Sequence, residues 1–208
     1  MRRIWDISQT LSPATPVWPG EAPCHLERTA VISPGCPVNV SRLHISSHAG
    51  AHADSPFHYH NAGQDSAQCD LGPYLGRCRV IDVRHVRGCV RLQDFDNDLL
   101  TQSPRVLFRT YDHFPHTEWI SDFTAIGADV ITAFAAAGGA LVGTDAPSLD
   151  PESSKTLDAH QAVLAGGLRI LEGLVLDDVA EGEYELIALP LKIAGADSSP
   201  VRAILREL

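Results

Sequence analysis

Between His48 and His60 the chain reads His-Ala-Gly-Ala-His-Ala-Asp-Ser-Pro-Phe-His-Tyr-His, four imidazoles and a carboxylate within thirteen residues. Imidazole and carboxylate are donors that a divalent zinc takes up, and a catalytic zinc keeps about three protein ligands so that one position stays open to water. His48, His52 and Asp54 form such a set. The spacing is not that of a zinc-protease helix, because Gly50 separates the two histidines, Pro56 follows, and no Glu comes after His48; both Gly and Pro disfavour helix. The motif is therefore expected where a strand ends and a loop begins. The apolar, β-branched stretch 38–45 leads into it, and Gly50 allows the chain to approach an ion. A solitary loop histidine is more often solvated or hydrogen-bonded than a ligand. This cluster is internal and sits among Ala, Gly, Ser, Pro and Phe, unlike a terminal tag or a simple tract. Metal-dependent hydrolysis is the expected chemistry.

Further donors stand in the second half. Glu172 is flanked by apolar residues in Leu168-Arg-Ile-Leu-Glu-Gly-Leu-Val-Leu176. Two readings are open for it: strand alternation turns it to solvent, or it is buried and needs a cation to offset the cost of burying charge. His160, at the start of a predicted helix, reads on its own as a surface histidine. Asp145 ends a short buried-looking strand, a place where α/β proteins display functional side chains, although a turn or cap role fits equally. Trp18 lies between Val17 and Pro19 in a rigid loop that could hold an indole for stacking, or could pack it on the edge of the core.

The elements that must position these residues read as follows. Short apolar stretches at 4–7, 25–32, 38–45, 79–83, 106–108, 140–142, 174–176 and 185–189, with turn signals between them, are expected as strands. One helix is expected where Ile126, Val130, Ile131 and Phe134 recur at helical spacing before Gly138-Gly139, and another from Asp158 to Ala165 before Gly166-Gly167. The fold class is mixed α/β and rich in strands. Segments 61–72 and 147–155 read as loops that could edge a site.

Composition bounds the function. At 208 residues, 44% hydrophobic and 20% charged, the chain fits one globular domain spanning 1–208. A formal net charge of −10 argues against a nucleic-acid or anionic-membrane surface, since phosphate binding needs Lys and Arg, and favours a small-molecule substrate. The five cysteines, Cys24, Cys36, Cys69, Cys78 and Cys89, form no Cys-x-x-Cys pair and are expected as reduced thiols. The start Met-Arg-Arg-Ile-Trp-Asp lacks a secretory apolar stretch, and no run approaches the ~18 apolar residues of a membrane span. A cytoplasmic location is the simplest expectation.

Taken together, Thr15-Pro-Val-Trp-Pro-Gly20, the stretch from His48 to His60, Tyr74-Leu-Gly-Arg-Cys-Arg-Val80, Gly143-Thr-Asp-Ala-Pro-Ser-Leu-Asp150, Leu171-Glu-Gly-Leu-Val-Leu-Asp177 and Ile187-Ala-Leu-Pro-Leu191 carry a resemblance that runs nearly end to end. The chain resembles the bacterial kynurenine formamidases within the cyclase-like metal-dependent hydrolases. That family usually writes its metal motif His-x-Gly-Thr-His-x-Asp; here Ala51 takes the Thr position, which removes a supporting hydrogen bond but no ligand. The resemblance implies two zinc ions, one on His48, His52 and Asp54 and the other on Asp54, His160 and Glu172, with Asp54 bridging. It implies that His58 donates and accepts the proton, that Trp18 contacts substrate, and that His60 has no catalytic counterpart. It further implies a swivelling β/β/α-type fold, a homodimer, and hydrolysis of N-formylkynurenine to kynurenine and formate. Two other readings are a cyclic-amide hydrolase acting on a compound such as isatin, and a non-catalytic metal-binding protein on the same scaffold.

Overall fold

Alternating burial along the apolar stretches builds the centre of the molecule. In the computed structural model, which describes residues 2–208, Val106 and Phe108 face one layer of core and Leu107 the other, and Val142 and Leu141 divide in the same way. This is the period-two pattern of strands covered on both faces. The strands, in chain order, are β1 Ile4–Asp6, β2 His25–Ala30, β3 Val40–His44, β4 His52–Asp54, β5 Leu75–Asp82, β6 Cys89–Val90, β7 Arg105–Arg109, β8 Ala125–Ile126, β9 Leu141–Thr144, β10 Arg169–Leu171, β11 Gly182–Ile187, β12 Ser198–Pro200 and β13 Ile204–Arg206. Two α-helices, α1 Ala128–Ala136 and α2 Asp158–Gly166, complete the set.

Seven strands form one mixed sheet in the order β1-β13-β11-β5-β7-β9-β10. From β5 to β10 the neighbours are parallel, and from β5 to β1 they are antiparallel. The parallel half requires crossovers, and α1 and α2 supply them between β7 and β9 and between β9 and β10. The helices pack on each other and bury Val130, Ile131, Phe134 and Val163 against Phe108, Val142 and Ile170. The opposite face packs on Ile7, Ala53, Leu174, Leu176 and Leu205. The expected mixed, strand-rich α/β architecture is what is seen.

Several expectations are corrected. Segment 174–176 is not a strand: Leu174 and Leu176 are buried, but the backbone N–H groups of Leu174 and Val175 donate to Thr144 O and Ile7 O, and the ladder position beside β9 belongs to β10. Ile126 lies in β8, because the helix begins only after Gly127. The motif around His48 also differs in part. His48 follows β3 in a turn, but His52 and Asp54 sit in a strand of their own, β4, rather than in a loop.

That short strand positions everything that follows. One edge of β4 pairs with β12, setting Asp54 opposite Ser198. On its other side a backbone bridge joins His52 to Glu172, with His52 N donating to Glu172 O at 3.1 Å and Glu172 N to His52 O at 3.0 Å. Gly173 makes this crossing possible: its φ is +64° and a Cβ there would stand 2.5 Å from Gly50 O.

Candidate metal centre

β4 directs His52 and Asp54 inward, the turn before it brings His48, the first turn of α2 brings His160, and the end of β10 brings Glu172. All five side chains converge. His48 Nδ1 lies 3.1 Å from Asp54 Oδ1, and His52 Nε2 lies 3.6 Å from the same oxygen. The other oxygen, Oδ2, lies 3.4 Å from His160 Nε2. Glu172 spans the two imidazoles, with Oε2 at 3.2 Å from His52 Nε2 and Oε1 at 3.6 Å from His160 Nε2. Asp54 is fully buried, and His52, His160 and Glu172 nearly so. Of the two readings open for Glu172, burial is the observed one.

Each imidazole has its outer nitrogen tied down. His52 Nδ1–H donates to Gly50 O at 2.9 Å, His160 Nδ1–H to Asp150 Oδ2 at 2.7 Å, and His48 Nε2–H to Asp197 Oδ2 at 3.0 Å. These bonds select the tautomer that leaves the inner nitrogen with a free lone pair, as in histidines that bind metals. The inner atoms have no such partner: both oxygens of Asp54 and the Nε2 of His52 are buried without a hydrogen bond. A buried carboxylate with neither oxygen bonded is costly unless a cation meets it, so the donor set fits a divalent metal. His48, His52 and Asp54 offer ligand atoms within 4.8 Å of one another, as do Asp54, His58 and His160.

Without a metal, protons take the cation's place. Burial disfavours a charge on His48 and His160, but Asp54 and Asp197 beside His48, and Asp150, Asp54 and Glu172 beside His160, outweigh it and push both up to about 10. Asp54 resists ionisation by its burial, yet the facing imidazoles hold it well below the usual carboxylate range.

A cavity of about 290 Å³ adjoins the centre, lined by His48, His52, His160 and Glu172 together with His58, Trp18, Tyr111, Phe114 and Trp119. Trp18 meets Trp119 edge-on, with ring centroids 5.4 Å apart, and Phe123 at 6.4 Å. Trp18 is therefore both packed and turned to the cavity. Among the described residues no lysine or arginine lines this space, whereas Glu21 and Glu118 do. His58 stands beside His48, with ring centroids 4.4 Å apart, and its Nδ1 is 3.4 Å from Asp197 Oδ2.

The remaining candidates separate. His60 is exposed and lies outside the cavity lining. Asp145 lines the cavity but is engaged elsewhere: its carboxylate accepts from Thr110 N, Thr110 Oγ1 and Tyr111 N at 2.6–3.0 Å, and burial pushes it up to about 6 against those bonds. It clamps the start of the loop that carries Tyr111 and Phe114. Sequence reasoning missed Asp150, Asp197, Tyr111, Phe114 and Trp119. Asp150 had a signal, an Asp-Pro pair ten residues before His160; Asp197 had none, since 139 residues separate it from His58.

Comparison with known proteins follows the same lines. The family model described as "Putative cyclase" matches residues 5–151. A kynurenine formamidase from Sphingopyxis alaskensis is 62% identical over 208 residues, all of both chains. One from Erythrobacter litoralis is 53% identical over 207 residues, covering all of this chain and 95% of that one. A solved structure described as a potential metal-dependent hydrolase with cyclase activity superposes with a TM-score of 0.86 at 27% identity, over 100% of this chain and 99% of its own. The likeness thus extends through the part of the chain, beyond residue 151, that carries His160, Glu172 and Asp197.

Proposed function

This chain belongs to the cyclase family, and from that membership and the buried donor set we propose that it is a metal-dependent arylformamidase that hydrolyses N-formylkynurenine to kynurenine and formate. The observation that carries the reading is the end-to-end similarity to kynurenine formamidases, joined to a site whose buried carboxylate has no hydrogen bond and is ringed by imidazoles. We assign His48, His52 and Asp54 to one zinc ion and Asp54, His160 and Glu172 to a second, with Asp54 between them; the two oxygens of Asp54 face different imidazoles, which suits a bridge. When bound, such ions supply Lewis acidity that polarises the formyl carbonyl and acidifies water.

The chain's own groups do the rest. His58 accepts at one ring nitrogen the proton lost by the attacking water, and delivers it to the aniline nitrogen as the C–N bond breaks and its electron pair moves to nitrogen. Its side chain is one-third exposed, wet enough to exchange protons yet beside the centre. Trp18 packs on the substrate's benzene ring, a contact worth about 0.5–1.5 kcal/mol beyond area burial, and Trp119 braces it. With Glu21 and Glu118 lining the cavity and, among the described residues, no lysine or arginine there, the amino-acid end of the substrate is met through its ammonium. Tyr111, held by Asp145, and Phe114, whose N–H donates to Asp177 Oδ1, close the apolar side of the pocket.

The fold is assigned to the swivelling β/β/α type. A homodimer has a ready contact surface in the β2–β3 hairpin, where Leu26, Ile32, Val40 and Leu43 are exposed. Five unpaired thiols suit the reducing cytoplasm, and no helix among the described residues is long and apolar enough to cross a membrane. The reading is tested by assaying the purified protein separately with N-formylkynurenine and isatin. Turnover of the formamide is expected; efficient turnover of isatin with none of the formamide would overturn it.

A further inference from the structure

Asp197 is brought to the site by the same pairing that holds Asp54. It immediately precedes β12, whose Ser198 sits opposite Asp54, and its backbone oxygen accepts from Ser55 N at 2.9 Å. Its carboxylate is shared among three donors. Oδ1 accepts from Ser47 Oγ at 3.0 Å, while Oδ2 faces both His48 Nε2 at 3.0 Å and His58 Nδ1 at 3.4 Å. One oxygen therefore meets a metal-ligand candidate and the proton carrier at once.

We propose that Asp197 is the positioning residue of His58: by accepting from His58 Nδ1–H it holds the imidazole in the tautomer whose Nε2 exchanges the proton, and by accepting from His48 Nε2–H it fixes that ring's distance from the centre. The alternative, that Asp197 is itself a metal ligand, fits the geometry less well. His48 directs its other nitrogen, Nδ1, to Asp54, and the Asp197 side chain is 41% exposed where that of Asp54 is 1%. A ring nitrogen that already bears a proton toward Asp197 has no lone pair for an ion. His58 cannot orient itself: its ring packs on His48, Tyr59 and His160, contacts that do not distinguish Nδ1 from Nε2. A carboxylate on Nδ1 does, since it accepts only from a protonated nitrogen. During turnover the proton on Nδ1 stays there, donated to Asp197 Oδ2, while Nε2 receives the proton from water and passes it to the leaving nitrogen.

The inference rests on the arylformamidase reading, and its test separates the two. Asp197→Ala, Asp197→Asn, His58→Ala and the Asp197→Ala/His58→Ala double variant are assayed for metal content, and for kcat and KM on N-formylkynurenine and on 4-nitrophenyl formate, whose leaving group needs no proton. General acid-base catalysis contributes about 10²–10⁴-fold. With zinc supplied to saturation, Asp197→Ala is therefore expected to lower kcat on the formamide by about 10²-fold, with KM held and the ester affected only a few-fold, while its lost bond to His48 shows as weaker metal affinity. Asp197→Asn, which keeps an acceptor oxygen, recovers part of the loss, and Asp197→Ala costs nothing further once His58 is absent, the non-additivity expected of groups acting as a unit. Equal losses on both substrates, failure of Asp197→Ala to load metal even at saturating zinc, full additivity with His58→Ala, or undiminished formamide turnover would each overturn the role of Asp197. An inactive wild type on the formamide would instead overturn the reading on which it stands.

Discussion

Asp54 and the three imidazoles around it set the chemistry at the scale of single residues. Asp54 has two buried oxygens and no hydrogen bond, so Asp54→Asn replaces a negatively charged pair of acceptors by one neutral oxygen and an NH₂ group that repels a cation. That variant is expected to bind less metal and lose turnover together, as read by elemental analysis and the formamidase assay; full metal with full activity would remove Asp54 from between the ions. Asp150 acts one step further out. It accepts from His160 Nδ1 and from the N–H groups of Ala159 and His160 at the first turn of α2, so it orients the ligand and caps the helix with one carboxylate. Removing such an outer partner typically costs 10–100-fold in metal affinity or activity, and Asp150→Ala is expected to fall in that range, of about 10–100-fold, in a competition titration with a chelator. The clustered ligands are legible in the sequence because their types and close spacing leave few other chemistries. His160 becomes a ligand candidate only through the family resemblance, since a helix-start histidine has an ordinary explanation, whereas the apolar run around Glu172 leaves a cation-bound carboxylate as one of two open readings.

Among the elements, β4 is the one that does most with least. It has three residues, and its backbone binds β12 on one side and Glu172 on the other. Short strands of this kind escape sequence reading because period-two alternation needs about four residues to show; Ala53 between His52 and Asp54 is all the pattern there is. The longer strands β5, β7, β9 and β11 and both helices are legible, with boundaries shifted by a few residues: burial on both faces makes the centres of β7 and β9 apolar, β11 alternates buried with more exposed residues, and each helix buries one face. Segment 174–176 misleads for the same reason: it is as apolar as a strand, but its N–H groups find single carbonyls in β9 and after β1 instead of a ladder. The crossing of β4 over residue 173 gives a direct test. Gly173→Ala forces a side chain into left-handed backbone and against Gly50 O. Destabilisation by about 1–2 kcal/mol from the backbone strain, or more with the clash, is expected in urea unfolding, together with a lower metal content, because the His52–Glu172 bridge is displaced. Unchanged stability would mean that the close approach of residues 50 and 173 does not constrain the site.

For the whole molecule, metal and protons compete for one buried cluster. In the metal-free chain His48 and His160 are raised from near 6.5 to about 10, so folding takes up protons that the unfolded chain releases above its own value. A raised pKa of this sign stabilises fully below pH 6.5 and is lost as pH rises through about 10. Thermal melts of chelator-stripped protein should therefore show Tm falling across that window. Metal-loaded protein, whose imidazoles are neutral ligands, should show no such fall, and metal affinity should weaken as pH drops because binding displaces protons. A stripped protein with a flat profile would place the imidazoles outside the cluster's electrostatics. The same cluster links both halves of the chain, His48, His52 and Asp54 from the first and His160, Glu172 and Asp197 from the second, so loading it should also tie the sheet to its flanking loops. The most direct measurement is formamidase activity against metal content on one preparation: turnover of N-formylkynurenine should vanish as the ions are stripped and return as zinc is added back, reaching its plateau at two ions per chain, whereas full turnover by the stripped chain would contradict a metal-dependent mechanism.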